Sequence, residues 1–247
     1  MPPRSQHQYS SLYSHSLAGE RRTGFWLYIF GIVLVAACGA AIWWLIGTQA
    51  PLPLFSAGDR PTVSDEIVTI ELARQRFYIP ENYLRSAEQR AGGPVEQIDL
   101  HAIWPTMRGF NEADAEAFRD KSPDSHVIYI TLNAPTQLWR PAERFYQVYP
   151  YYFAGPEEQA NFGLMRRQMD AGSGLGDHDV FYRQDAESFH LFHCLRDETN
   201  LIPSDCVADK VIEPRTLARY RFRRSLLADW KEIDGAVEDL LAQFVGR

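Results

Sequence analysis

"ARYRFRRSLLADWKEIDGAVEDLLAQF", residues 218–244, decides the fold, because its hydrophobic rhythm changes midway. Over "ARYRFRR", Tyr220 and Phe222 alternate with Arg219, Arg221 and Arg223, the period of a strand with one buried face. From Ser225 onward the period lengthens. Leu226, Leu227, Trp230, Ile233, Val237, Leu240, Leu241 and Phe244 then fall on one helical stripe, and Ser225 stands where it can cap the start. A strand leading directly into an amphipathic helix predicts a helix packed back on a sheet.

The elements upstream agree with that layering. "IVTIELARQRFYIP", 67–80, has the β-branched and aromatic spacing of a strand, ended by Pro80. In "VEQIDLHAIWP", 95–105, Ile98, Leu100, Ala102 and Trp104 form an apolar face opposite Gln97, Asp99 and His101. "NEADAEAFRDKSP", 111–123, suits a short polar helix or turn, and "HVIYITLNAP", 126–135, a strand with both faces apolar. "RPAERFYQVYPYYFAG", 140–155, starts as a helix at Pro141, is broken by Pro150, and has a stop at Gly155. Strands dominate from "DVFYRQDAESFHLFHC", 179–194, onward. Strands and helices in this order do not make βαβ units. The expected class is α+β, with a largely antiparallel sheet and a C-terminal amphipathic helix over residues 66–247.

"GFWLYIFGIVLVAACGAAIWWLIG", 24–47, holds no charged residue and has aromatic rings near both ends. As a helix it reaches ~36 Å, enough to cross a ~30 Å hydrocarbon layer. Two other readings compete: a buried soluble helix, and a cleaved signal peptide. The run is long for a signal peptide, and Trp43 and Trp44 sit where small residues are preferred, although "GTQA" at 47–50 supplies some. An uncleaved transmembrane helix is the expectation, with membrane lipid around residues 24–47. Arg21 and Arg22 precede the span, and the next basic residue is Arg60. That asymmetry puts the N-terminus in the cytoplasm and the rest outside, as a single-pass inner-membrane protein with a periplasmic domain. Residues 1–23 are then a disordered cytoplasmic tail, and 48–65, bearing prolines, a linker.

Composition narrows the function classes. Of the 247 residues, 45% are hydrophobic and 23% charged, with 32 acidic against 25 basic. An acidic balance argues against nucleic acid as a partner. Three cysteines are too few for a disulfide scaffold, so a hydrophobic core must carry the fold.

"FHLFHCLRDETNLIPSDC", 189–206, brings together two histidines and two cysteines. In an oxidising compartment Cys194 and Cys206, flanking a turn-rich loop between strands, are expected to form a disulfide. The alternatives are a zinc site from His190, His193, Cys194 and Cys206, and a catalytic thiol with a histidine base. Strand alternation opposes the first, since it sends His190 and His193 to opposite faces. Cys38 lies within the apolar run and is expected to act there as a small hydrophobe.

Other candidate sites are weaker. "AGSGLGDHD", 171–179, has glycines that let backbone amides approach an anion, but no Lys-Ser/Thr pair, so it is no P-loop. Asp177, His178 and Asp179 are metal-type ligands, yet neighbours in sequence rarely converge on one ion. The cluster Phe145, Tyr146, Tyr149, Tyr151, Tyr152, Phe153 suits a core or an interface, and Arg219, Arg221, Arg223 and Arg224 suit a solvated face or an anionic contact. Tyr149, Tyr152, Arg219, Arg221 and Arg223 form the candidate interaction surface. Asp99 and His101 share a face expected to be exposed, but no Gly-x-Ser-x-Gly elbow accompanies them. No catalytic residue, cofactor or metal is assigned.

Four stretches carry a resemblance: "FYIPENYLRS" (77–86), "VEQIDLHAIWPTMRGF" (95–110), the Cys194 and Cys206 pair, and "YRFRRSLLADW" (220–230). Together they resemble an uncharacterised alphaproteobacterial family of single-span envelope proteins anchored in the inner membrane. The resemblance implies topology and compartment, and transfers no catalytic residue. The functional expectation is an anchored extracytoplasmic binding or accessory protein without catalytic activity, whose partner is another envelope protein or membrane complex. The alternative is an anchored periplasmic hydrolase or metal-dependent enzyme using the 171–179 loop with His178, His190 and His193.

Overall fold

The computed structural model describes residues 27–34, 60–196, 203–212 and 215–245. The chain divides into two compact units, residues 1–56 and 57–247. Of the first, only residues 27–34 are described, as an exposed helical segment. No helix among the described residues is long and apolar enough to cross a membrane. The rest of the expected 24–47 span, the 1–23 tail and most of the 48–65 linker lie outside the described residues.

The second unit is α+β. Eight antiparallel strands form its main sheet in the order β4-β5-β11-β10-β9-β8-β7-β6. These are β4 Gln97–Ile103, β5 Val127–Asn133, β6 Phe153–Gln159, β7 Met165–Met169, β8 His178–Gln184, β9 Phe189–Leu195, β10 Asp205–Ile212 and β11 Thr216–Arg223. A smaller sheet has the order β2-β1-β3, from β1 Ile67–Leu72, β2 Gln75–Pro80 and β3 Gly93–Val95, with β1 and β3 parallel.

The terminal strand and helix follow the sequence pattern. Tyr220 and Phe222 are buried in β11, and all eight apolar stripe residues from Leu226 to Phe244 are buried against the sheet. Each such side chain contributes roughly 1.5–3 kcal/mol relative to exposure. The start of the helix differs from expectation. A 3-10 turn covers Arg224–Asp229, and the α-helix runs Trp230–Phe244. Ser225 does not cap it; its hydroxyl donates to the Pro123 carbonyl at 2.9 Å, tying the turn to a distant loop.

Two further expectations are corrected. Residues 67–80 are not one strand but the hairpin β1–β2, turned at Ala73 and Arg74 with φ of 50° and 71°. Both central residues of such a two-residue turn need positive φ, normally supplied by Gly or Asn. Here six paired positions along the hairpin hold a turn that the sequence does not advertise. The helix at Pro141 ends at Gln147, before a 3-10 turn Tyr149–Tyr152 around Pro150. Gly155 ends no helix; it lies in β6 with φ +68°, beside the irregularity between Ala154 and Glu158.

The helix Pro141–Gln147 covers the opposite face of the sheet. There Phe145 and Tyr149 pack with Met169, Val180, Tyr182 and Leu191 in a second apolar cluster. Phe181 and Phe192, alternating with them along β8 and β9, belong to the main core under the C-terminal helix. This half of the sheet is therefore covered on both faces.

Candidate groove between β9 and β10

Cys194 and Cys206 face each other directly across β9 and β10 and form a disulfide. With both sulfurs so engaged, neither a zinc site nor a free catalytic thiol is built there. Only three residue pairs join the two strands: Cys206 with Cys194, Val207 with His193, and Ala208 with Phe192. Beyond Ala208 they part. β9 stays paired to β8 as far as Phe189, and β10 to β11 as far as Ile212. The disulfide thus closes one end of a widening gap.

The gap is a cavity of about 880 Å³. Its walls include Leu191 of β9, Lys210 of β10, Glu238 and Leu241 of the C-terminal helix, and Pro141 from the other face. That volume lies within the range of ligand sites.

A polar network crosses its floor. Asp234 accepts from the Tyr220 hydroxyl at 2.5 Å and from Lys210 Nζ at 3.1 Å. His190 Nδ1 stands 3.1 Å from the same carboxylate. Burial would raise the Asp234 pKa, but hydrogen bonds from His190, Tyr220 and Lys210 outweigh it and bring it down to about 2. Tyr220, buried against that anion, is held well above its ordinary value. Lys210 also donates to Glu238 at 2.6 Å, tying β10 to the helix a second time. On the other side His190 Nε2 lies 3.0 Å from Ser188 Oγ and 3.6 Å from Asp185 Oδ2.

Asp209, on the next residue of β10, organises the other face. It accepts from Arg144 of the Pro141–Gln147 helix at 2.5 Å and from Arg219 at 2.8 and 3.1 Å. Burial opposes ionisation of Asp209, and the two guanidiniums outweigh it, leaving its pKa below the ordinary value. Beside this pair His193 packs edge-on against Tyr149 at 4.7 Å. Burial, with Arg144 and Arg219 nearby, lowers the His193 pKa to about 4.

The sequence-derived sites are redistributed. His190 and His193 do fall on opposite faces. Asp179 is no metal ligand: it is 1% exposed and held by Arg166 and Arg224, each at 3.2 Å. Among the described residues no group of three His, Cys, Asp or Glu side chains is placed to hold a metal. In the candidate interaction surface Tyr149 is buried and Tyr152 exposed. Arg219 and Arg221 are half exposed, and Arg223 is mostly covered. The acids of β10 answer this basic row: Asp209 pairs with Arg219, and Asp205 with Arg221 and Arg223. His101 is not on an exposed face. It is 8% exposed, lies 4.8 Å from Phe118, and is lowered to about 4, first by burial and then by surrounding cations. Asp99 accepts from Gln97 and Thr131 instead.

No family model matches the chain, and no curated protein matches it. Among solved structures it is similar to Smlt3025, an immunity protein of the Stenotrophomonas maltophilia type IV secretion system. The TM-score is 0.55 at 18% identity, over 74% of this chain and 95% of that one. A match to the Neisseria meningitidis iron-regulated outer membrane lipoprotein FrpD has TM-score 0.48 and 13% identity, over 77% and 97%. The first likeness shows that this arrangement of antiparallel sheet and C-terminal helix is shared with a solved fold.

Proposed function

We propose that this chain is a membrane-anchored, extracytoplasmic binding or accessory protein of the bacterial cell envelope, without catalytic activity. Its partner is another envelope protein, and the groove between β9 and β10 receives a segment of it. One observation carries this reading. The two strands part in mid-sheet, so each presents a stretch without its ladder partner, flanked by apolar Leu191 and Leu241 and by the charges of Lys210 and Glu238. An extended segment can add to such edges through its main chain while its side chains fill the groove. The fold shared with an immunity protein of a secretion system supports a protein-binding role, and the Cys194–Cys206 disulfide supports an oxidising compartment.

The test is a photo-crosslinking amino acid at Glu187 or Ala242, both on the groove wall, in the full chain in intact membranes. A discrete adduct from these positions, absent from a probe at Glu71 in β1, is the expected result. Equal labelling from all three positions, or none, contradicts the assignment.

A second reading, an anchored hydrolase, has one observation in its favour. Ser188 Oγ, His190 and Asp234 stand in line at 3.0 and 3.1 Å, as in a Ser-His-Asp relay. Against it, the Asp185 carboxylate lies 3.6 Å from the same ring nitrogen and places negative charge where an oxyanion would develop. Fluorophosphonate labelling that is lost in Ser188→Ala would favour the hydrolase; no labelling is expected.

A further inference from the structure

A second cavity, of about 580 Å³, lies on the face of β4 and β5 turned away from the C-terminal helix. Cross-strand neighbours His101 and Tyr129 are on this face, while Leu100, Ala102, Ile128 and Ile130 point into the core. Aromatic rings line the cavity: His101, Phe110, Phe118 and Tyr129. Phe118 holds the group together, with centroids 4.8 Å from His101 and 5.4 Å from Phe110.

Four cations complete the lining: Arg60, Arg85, Arg119 and Lys121, with no acidic side chain among the residues around it. The Arg85 guanidinium lies 4.8 Å from the Tyr129 centroid. Lys121 Nζ is 5.8 Å from that centroid and donates to the Tyr129 hydroxyl at 3.3 Å. None of these four forms an ion pair among the described residues. Arg221 also approaches Tyr129, at 5.1 Å, but is answered by Asp205. The nearby carboxylates are engaged elsewhere: Asp99 by Gln97 and Thr131, Asp120 by Ser122. In a chain with net charge −7, these four cations line one cavity without an acid beside them.

We propose that this cavity binds a small molecule bearing a phosphate monoester on a flat or apolar body, with the dianion among Arg85, Arg119 and Lys121 and the body against Phe118 and Tyr129. A monoester carries close to two negative charges at neutral pH and three strong acceptor oxygens, which suits several convergent cations better than a single carboxylate does. The volume lies within the range of small-molecule sites and exceeds what inorganic phosphate fills. The site is separate from the β9–β10 groove and does not depend on its assignment.

The same chemistry has two sources, a soluble phosphate ester or a lipid headgroup. Calorimetric titration of the full chain in detergent, with phenyl phosphate in one arm and short-chain dihexanoylphosphatidic acid in the other, separates them. Inorganic phosphate and phenol serve as controls. At least one monoester is expected to bind at least tenfold tighter than inorganic phosphate, with no saturation by phenol. Tighter phenyl phosphate identifies a soluble ligand, and tighter phosphatidic acid a headgroup. Arg119→Ala lies on an exposed position of the helix Ala115–Arg119, and Lys121→Ala is exposed too, so both variants are expected to fold. Each should weaken binding several-fold and the pair at least tenfold, in step with a falling affinity as salt rises. Absence of saturable binding by both monoesters up to about 10 mM, or binding indifferent to the paired substitution, overturns the proposal.

Discussion

Lowering the pH from 7 to 5 should destabilise the folded domain strongly, through His101 and His193. His101 is buried and His193 largely covered, and both have folded pKa values of about 4 against an ordinary 6.5. Between those values the unfolded chain takes up protons that the folded chain refuses. Their contribution to stability is therefore complete above 6.5 and is lost as pH falls through 4. Between pH 7 and 5 the linkage amounts to about 1.8 kcal/mol per histidine, or about 4 kcal/mol for the two. Carboxylates titrate mostly below this window and add little. With a urea slope of about 2 kcal/mol per molar, the unfolding midpoint should fall by about 2 M. The assay is urea denaturation followed by tryptophan fluorescence at pH 7, 6 and 5, for the wild-type chain and for His101→Gln with His193→Gln. The double variant should lose most of the pH dependence, keeping less than about 1 kcal/mol of it. A wild-type midpoint that does not move between pH 7 and 5, or NMR titration placing both rings near 6.5, would refute the reasoning.

The other predictions concern the two ends of the groove. Cys194→Ser with Cys206→Ser opens a loop with a sequence separation of 12. It should cost about 3 kcal/mol in the chain-entropy model. For a domain of this size that is a fall of about 6–12 °C in the melting temperature, and reductant should shift the wild type but not the variant. Asp234→Asn keeps the shape but removes the anion that His190, Tyr220 and Lys210 share, leaving Lys210 its pair with Glu238; denaturant melts should show a loss of about 2–3 kcal/mol. Because the folded Asp234 pKa is about 2 against 3.8, its share of stability is complete above 3.8 and is lost as pH falls through 2. Trp230→Ala removes a ring packed on His190 and Phe192 and its bond to the Phe162 carbonyl, and should cost about 3–5 kcal/mol by the same melts.

How far the sequence disclosed this molecule varies by element. The β11–helix stretch was legible because its apolar residues lie on one face over many turns, and no other pairing buries Tyr220, Phe222 and the helical stripe together. The β1–β2 turn was hidden because Ala73 and Arg74 take a backbone conformation their types rarely adopt. β6, "FAGPEEQ", carries Gly155 and Pro156 and almost no apolar residue, so it resembles a connection; its pairing to β7 makes it a strand. The disulfide followed from spacing and compartment, and the structure places its cysteines directly opposite each other.

The groove was not legible, because it arises from where two strands stop pairing and no local pattern encodes that. Part of its lining did leave a signal. Asp234 interrupts an apolar stripe, four residues after Trp230 and three before Val237, and a buried acid there asks for partners. Likewise "SDCVADK", 204–210, sets Asp205 and Asp209 on one strand face opposite the arginines of β11, which turns the expected basic patch into paired rows. The cationic cavity draws on Arg60, Arg85 and the Arg119–Lys121 stretch, three places too far apart in sequence to form a motif.

The account rests on the domain folding where thiols are oxidised. Its most direct test is alkylation of intact cells at neutral pH with a membrane-impermeant maleimide, with or without prior reduction, resolved by mass shift. Cys194 and Cys206 should take no label until reductant is added and then take two. Two free thiols before reduction, or labelling only after the cells are lysed, would contradict the account.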